Sequence, residues 1–344
     1  MLMPVTQKDI AQQLGLSREA VKFALNGNGS LSAATRERIL TEAQRLGYSR
    51  HSNGAARELA GRRHGKRVST GLISMLVPRT VGSFQADPYF VPLLDGIERE
   101  ATRQGYGLLF TRWEKNHLKP AVLNGGVDGI IVLGSRYAFN RVAGAEIPIV
   151  SIMGIEEMSP TVTVDDYRGG RLAAQHLIDL GHREIAYLGH DLDGWSQPAR
   201  FAGYRDVLEE NDIPLREELL DFSASSPNWT SGAEAMTQLL ERTRDFTALI
   251  CYNDTVAMGA VGALETVGLT VPGDVSVVGF DDVSMEYNFR PSLTSVRYDR
   301  ESLGAMAVEM LLSIVGDHPS PSESGPLLSV APVELMVRDS TRVA

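Results

Sequence analysis

The chain has 344 residues, 43% of them hydrophobic and 22% charged, which is enough for two or three packed units and too apolar for a disordered chain. Its one cysteine, Cys251, excludes an intrachain disulfide and a cysteine-built zinc site. No apolar run approaches the ~20 residues of a membrane span, and the start of the chain is too short and too soon polar for a secretory leader, so a cytoplasmic protein is expected.

The charge is uneven. Residues 1–68 hold twelve basic and five acidic side chains, a surplus of seven, on a chain whose formal net charge is −10; the rest therefore carries −17. A basic head on an acidic body points to a nucleic-acid module joined to something else.

In chain order, residues 6–46 predict three short helices. Thr6 and Asp9 open the first as a capping box, Ile10, Ala11 and Leu14 form its apolar stripe, and Gly15 ends it. Ser17 caps the second, whose inner face is Ala20, Val21, Ala24 and Leu25 and which stops at Asn26-Gly27-Asn28-Gly29. Ser32 caps the third, with Ile39, Ala43 and Leu46 facing in. This is helix-turn-helix spacing. Residues 49–68 form a Gly-, Ala- and Arg-rich linker with one or two marginal helical turns over 53–60. From Ser69 onward strands and helices alternate. The short continuous apolar runs 71–77, 107–111, 129–133 and 147–152, then 184–188, 219–222, 248–251 and 276–279, read as strands buried on both faces of parallel sheets. A segment such as 91–104 reads as an amphipathic helix between them, and 333–337 as a final strand. The expected fold is α/β: an all-α head followed by two tandem doubly wound units with a cleft at the carboxyl ends of their strands. The expected boundaries are 1–49 for the DNA-binding part, 50–68 for the linker and 69–344 for the body.

Ordered motifs run the length of the chain. They include Lys8-Asp9-Ile10-Ala11, Leu25-Asn26-Gly27, Thr35-Arg36-Glu37-Arg38-Ile39, Gly169-Gly170-Arg171-Leu172-Ala173, Leu180-Gly181-His182-Arg183, Asn253-Asp254, Val271-Pro272-Gly273-Asp274 and Pro291-Ser292-Leu293-Thr294. Through them the sequence resembles the lactose-repressor/galactose-repressor (LacI/GalR) family of transcriptional regulators, which implies a body of the periplasmic-binding-protein type. The resemblance implies that the second helix enters the major groove of an operator. Arg18, Glu19 and Phe23 then read bases, while Ser17, Lys22 and Asn26 hold phosphates and Thr6 joins the contact set. The other reading of Arg18 and Glu19 is a solvated helix face, and of Phe23 a residue that packs inward. In the linker, Asn53, Ala56, Arg57 and Leu59 match the family's hinge helix, with Leu59 as the minor-groove wedge. The stretch Arg50-His51-Ser52 is a two-residue insertion without the family's proline, which leaves the hinge register open.

For the body the resemblance implies an effector site of Arg200, Asn253, Asp281 and Trp229, closed by Tyr89 and Phe90. A guanidinium, an amide and a carboxylate suit a ring of hydroxyls, and the Trp229 face suits a pyranose or a base. Asp281 beside Asp282 reads also as a turn or as an ion pair with an arginine, and Trp229 as plain packing. Asp165-Asp166 and Asp281-Asp282 lack a nearby His or third acid for a metal, and there is no P-loop or nucleophile elbow. No metal, cofactor or enzymatic activity is therefore expected. The reading that explains head, linker and cleft together is a homodimeric repressor of carbohydrate-utilisation genes. It binds a pseudo-palindromic double-stranded operator in the nucleoid and is switched by a sugar-like effector. The alternatives are a nucleoside or purine corepressor and, in another class, a solute-binding transport receptor, which would lack the basic head.

Overall fold

Three capped amphipathic stretches make the first helices. In the computed structural model α1 (Gln7–Leu14), α2 (Arg18–Asn26) and α3 (Ala33–Arg45) close on a small core in which Ile10, Val21 and Ile39 are fully buried. Each such side chain contributes roughly 1.5–3 kcal/mol on leaving water. Between α1 and α2 the chain turns at Gly15, φ +64°, a left-handed conformation that glycine adopts without steric penalty. Ser17 Oγ accepts from the Ala20 amide at 3.2 Å and Ser32 Oγ from the Thr35 amide at 3.1 Å, so both residues cap the helices the sequence assigns to them.

The structure describes residues 7–26, 31–46, 69–78, 89–113, 126–133, 147–153, 159–190, 197–226, 228–283, 288–316 and 327–344. Thr6 and the hinge candidates Asn53, Ala56, Arg57 and Leu59 lie outside these residues. The chain separates into two units, Met1–Gly71 and Leu72–Ala344.

Among the described residues the larger unit holds two six-stranded sheets. β1 (Leu72–Pro78), β2 (Gly107–Trp113), β3 (Gly129–Leu133), β4 (Ile149–Ile152), β5 (Thr161–Val164) and β11 (Leu328–Ala331) form the first, in the order β11-β5-β4-β3-β1-β2. The second is built from β6 (Ile185–His190), β7 (Leu220–Ala224), β8 (Ala248–Cys251), β9 (Ser276–Phe280), β10 (Thr294–Arg297) and β12 (Glu334–Met336), in the order β12-β10-β9-β8-β6-β7. Helices α4 (Phe90–Arg103) and α9 (Arg300–Gly316) pack on the first sheet, making lobe one. Helices α5 (Asp166–Asp179), α6 (Gln197–Glu210), α7 (Trp229–Arg242) and α8 (Asp254–Thr266) pack on the second, making lobe two. Strands β3 and β8 are buried along their whole length, as the continuous apolar runs predict. In each sheet the strand order reverses beside the first strand of its lobe, and that switch point is where open α/β sheets receive ligands.

The lobes are interleaved rather than strictly successive. The chain crosses between them at β5 to α5, at β10 to α9 and at β11 to β12. Strands β5, β10 and β11, which the sequence reading does not anticipate, are those nearest the crossings. They are four residues each and rich in Ser and Thr, too short and too polar to stand out as apolar runs. Lobe two is not wholly parallel: β12 runs antiparallel to β10. Among the described residues no helix is long and apolar enough to cross a membrane.

Candidate effector cleft and DNA-facing helix

The cleft is organised around Arg200, one turn into α6 and 5% exposed. Its Nε donates to Asp166 Oδ1 at 2.7 Å, its Nη1 donates to the Tyr252 carbonyl, and its guanidinium lies 3.5 Å from the centroid of the Phe280 ring. A buried guanidinium is tolerable only when it is paired and hydrogen-bonded in this way. The pair Gly169-Gly170 makes the seat. A Cβ on Gly170 would run into the Arg200 backbone, and one on Gly169 into the Phe280 ring. Side chains at either position would push away the helix that carries Arg200 or the ring beneath it. No described protein group accepts from Nη2, which stands 3.9 Å from Asp281 Oδ1. The site therefore presents a fixed donor beside a carboxylate acceptor.

Asp281 follows β9 in a corner of two left-handed residues, φ +94° at Asp281 and +55° at Asp282, a conformation that costs roughly 1–3 kcal/mol at a non-glycine residue. Asp254, fully buried at the start of α8, holds the corner. Its carboxylate accepts from the Val283 amide at 2.7 Å and from the Ser295 hydroxyl at 2.6 Å. That hydroxyl in turn accepts from the Asp282 amide at 3.1 Å. Asp282 points elsewhere: its Oδ1 sits 2.5 Å from Arg338 Nη1, a charge contact that is not aligned as a hydrogen bond. Both readings left open for this Asp-Asp pair are thus realised, the turn at both residues and an arginine contact at each, Arg338 at Asp282 and Arg200 at Asp281.

Asn253 caps α8 through Oδ1, which accepts from the Val256 amide at 2.9 Å, and its Nδ2 has no partner among the described residues. Tyr89, preceding α4, reaches the cleft from lobe one, where its hydroxyl meets the hydroxyl of Tyr298 at 3.0 Å. Phe90 is 8% exposed and belongs to the apolar core; its ring meets Tyr89 edge-on at 4.8 Å and supports that wall instead of lining it. Trp229 is not gathered with this group. Its ring stands edge-on to Phe289 at 5.6 Å, is 48% exposed and lines a groove of about 570 Å³ between α7 and α8. Asp166, Phe280, Tyr252 and Tyr298 stand around Arg200 and Asp281 but are not singled out by sequence reasoning. Asp166 enters the sequence reading only as half of an Asp-Asp pair, and Tyr298 sits beyond an unanticipated strand. Among the described residues no three His, Cys, Asp or Glu side chains are arranged to hold a metal ion.

In the head, Arg18, Glu19, Lys22 and Phe23 are all exposed on one face of α2, opposite Val21 and Ala24. Phe23 is 41% exposed, so it does not pack inward. Ser17 serves as the N-cap at the start of that face, and Asn26 ends the helix.

Residues 174–341 match the model of a periplasmic binding protein-like domain. The transcriptional regulator GalR of Salmonella typhimurium is 32% identical over 92% of this chain and 91% of its own length. The transcriptional repressor PurR of Haemophilus influenzae is 30% identical over 98% of both chains. This chain belongs to the LacI/GalR family of transcriptional regulators. Among solved structures, the Lac repressor dimer bound to operator and the anti-inducer ONPF superposes with a TM-score of 0.77 at 26% identity, over 98% of this chain and 99% of that one. The complex of the regulator CelR with cellobiose gives 0.72 at 26% identity, with the same coverage. As a family member the protein is a DNA-binding repressor regulated by a small-molecule effector.

Burial pushes the Asp166 carboxyl up to about 6, against the pull of the Arg200 charge. Between its ordinary 3.8 and about 6 the folded molecule keeps a proton that the unfolded chain has released. This group's contribution to stability is therefore full below the lower value and is lost as pH rises through the upper one. In urea unfolding from pH ~4.5 to ~8, wild type is expected to lose stability relative to Asp166→Asn up to about pH 6 and to run parallel to it above. A wild-type advantage that grows with pH over that interval would show instead that attraction to Arg200 governs the carboxyl.

Proposed function

We propose that the effector is a polyhydroxylated sugar held in the cleft by Arg200 and Asp281, with Asn253 and Tyr89 beside them. The observation that carries this reading is the unbonded Nη2 of Arg200 standing 3.9 Å from Asp281 Oδ1. A hydroxyl group both accepts and donates, so a hydroxyl placed there satisfies both partners, and neighbouring hydroxyls extend the pattern to Asn253 Nδ2. The reading does not rest on Trp229. The CelR complex with cellobiose supports the sugar class, and the likeness to PurR favours a purine as the second reading. An effector that prefers one arrangement of the lobes changes operator affinity by the same factor by which operator changes effector affinity.

Residues 1–49 would supply the operator contacts, with Arg18, Glu19 and Phe23 on base edges and Ser17, Lys22 and Asn26 on phosphates. The groove of lobe two between α7 and α8, where Trp229, Ala233, Gly262, Ala263 and Val267 lie beside Glu241 and Arg244, is open. We assign it to a second copy of the chain, in keeping with the dimeric Lac repressor and with a pseudo-palindromic site.

Three outcomes test this. In a thermal-shift panel of D-galactose, ribose, cellobiose, hypoxanthine and guanine, a sugar is expected to raise the melting temperature of the wild type, and Asp281→Ala and Arg200→Ala to lose the response. A response to the purines alone would replace the sugar reading with the second one. In gel shifts against the protein's own upstream DNA, Arg18→Ala is expected to cost about 1–3 kcal/mol, and Lys22→Ala to lower the salt slope by about one; wild-type binding by both variants would remove α2 from the interface. In sedimentation, Trp229→Glu is expected to shift dimer to monomer, and an intact dimer would place the interface elsewhere.

A further inference from the structure

The carboxylate that faces Arg200 is already engaged from the other side. Tyr298, 4% exposed, lies directly after β10 where the chain crosses from lobe two to lobe one. Its hydroxyl is 3.1 Å from Asp281 Oδ1 and 3.0 Å from the Tyr89 hydroxyl. Tyr89 is anchored in lobe one: its hydroxyl is 3.5 Å from Met153 Sδ, and its carbonyl is 3.5 Å from Arg300 Nη1. A phenol has one proton. Tyr298 is the donor to both the Asp281 carboxylate, which when ionised can only accept, and the Tyr89 hydroxyl, so its single proton stands between the two lobes. Tyr89 gives its own proton to the Met153 thioether, within lobe one. Burial raises both phenols above their ordinary range, which keeps both protons in place. The result is a link in which the Tyr298 hydroxyl, donor on both sides, ties Tyr89 of lobe one to the Asp281 carboxylate of lobe two.

We propose that Tyr298 is the residue through which occupancy of the cleft is felt by lobe one: with the cleft empty it holds Asp281 on behalf of Tyr89, and an effector hydroxyl contests that same carboxylate oxygen. The inference rests on the assignment of Asp281 to the effector. The contested oxygen is Oδ1, the atom nearest Arg200 Nη2. A hydroxyl lodged between those two groups takes acceptor capacity from Tyr298, and the connection from Asp281 through Tyr298 to lobe one weakens. Removing the Tyr298 hydroxyl should therefore imitate the occupied state. It frees Asp281 for effector and leaves lobe one untied, and the two effects are linked because effector and latch draw on one group. Tyr298 thus selects effectors that bring a hydroxyl donor strong enough to displace a phenol, and rejects those that offer Asp281 only carbon or another acceptor.

The test uses the full-length protein in two arms. Without any small molecule, amide hydrogen exchange is followed at residues 93–97, the first hydrogen-bonded turn of α4, in wild type, Tyr298→Phe, Asp281→Asn and the double variant. Tyr298→Phe and Asp281→Asn are each expected to speed exchange there about fivefold or more, and the double variant to add nothing to the larger single effect. Wild-type exchange at 93–97 in a Tyr298→Phe protein that melts cooperatively overturns the latch, as does strict additivity in the double variant. The second arm adds D-galactose, ribose, cellobiose and hypoxanthine separately. For each compound that stabilises the wild type, Tyr298→Phe is expected to bind about threefold or more tighter and to change its operator affinity by less than a third of the wild-type factor. If Asp281→Asn loses binding while Tyr298→Phe behaves as wild type, the latch is wrong and the cleft assignment stands. If Asp281→Asn binds as wild type, the cleft assignment is wrong, and the exchange arm judges the latch without it.

Discussion

A charged guanidinium buried inside lobe two sets the terms for the rest of the body. Left without partners, Arg200 would destabilise the fold by several kcal/mol. It is stabilised on one edge by Asp166, at Nη1 by a backbone carbonyl and beneath by the Phe280 ring. Those three supports come from the start of α5, the end of β8 and the end of β9, so the helix that carries Arg200 cannot move without disturbing the sheet. Among the described residues the same supports leave Nη2 without a hydrogen bond, facing Asp281 at 3.9 Å, and they fix its direction. Rigid support with a single open donor is the arrangement that binds a small polar molecule with little further ordering.

The second half of the cleft is held by strain that the surroundings compensate. Two successive left-handed aspartates turn the chain after β9, and the buried carboxylate of Asp254 gathers the amide and the hydroxyl that keep the turn closed. Gly279 has no Cβ because one would fall on the Asp254 carboxylate. Asp281 is thereby presented to the cleft from lobe two, while Tyr298 and Tyr89 reach it from the crossing and from lobe one. One carboxylate thus stands beside both the Arg200 guanidinium and the connection between lobes. Under the effector assignment proposed above, that gives binding and lobe position a common group through which each biases the other.

Charge is distributed to match the two tasks. The surplus of positive charge lies in the first 68 residues and the acidic excess in the rest, so a phosphate backbone is attracted to the head and repelled by the body. Within the head, α2 divides cleanly. Val21 and Ala24 are buried, and Arg18, Glu19, Lys22 and Phe23 face outward, so a helix held by a few apolar contacts can present four side chains at once.

Residue order alone determined the three head helices, the caps of the second and third, the helix over 91–104 and most of the strands. Apolar spacing, a Ser at the start of α2 and of α3 and a Gly at the turn between α1 and α2 act within a few positions of the chain, and the forces behind them are local. It also determined the family, through motifs spread along the whole chain, and it pointed to Arg200, Asn253 and Asp281, each of which stands at or beside the carboxyl end of a strand or the first turn of a helix. Only the tertiary structure decided which side chains meet. Trp229 turned to the outside of lobe two because its partner, Phe289, is 60 positions away, and Phe90 went into the core behind Tyr89. Asp166 and Tyr298 became part of the cleft because the chain crosses between lobes where they stand. The pairing of Asp166 with Arg200, like that of Tyr298 with Tyr89, depends on sheet order and on glycine-mediated helix packing, contacts between distant segments that no local pattern encodes.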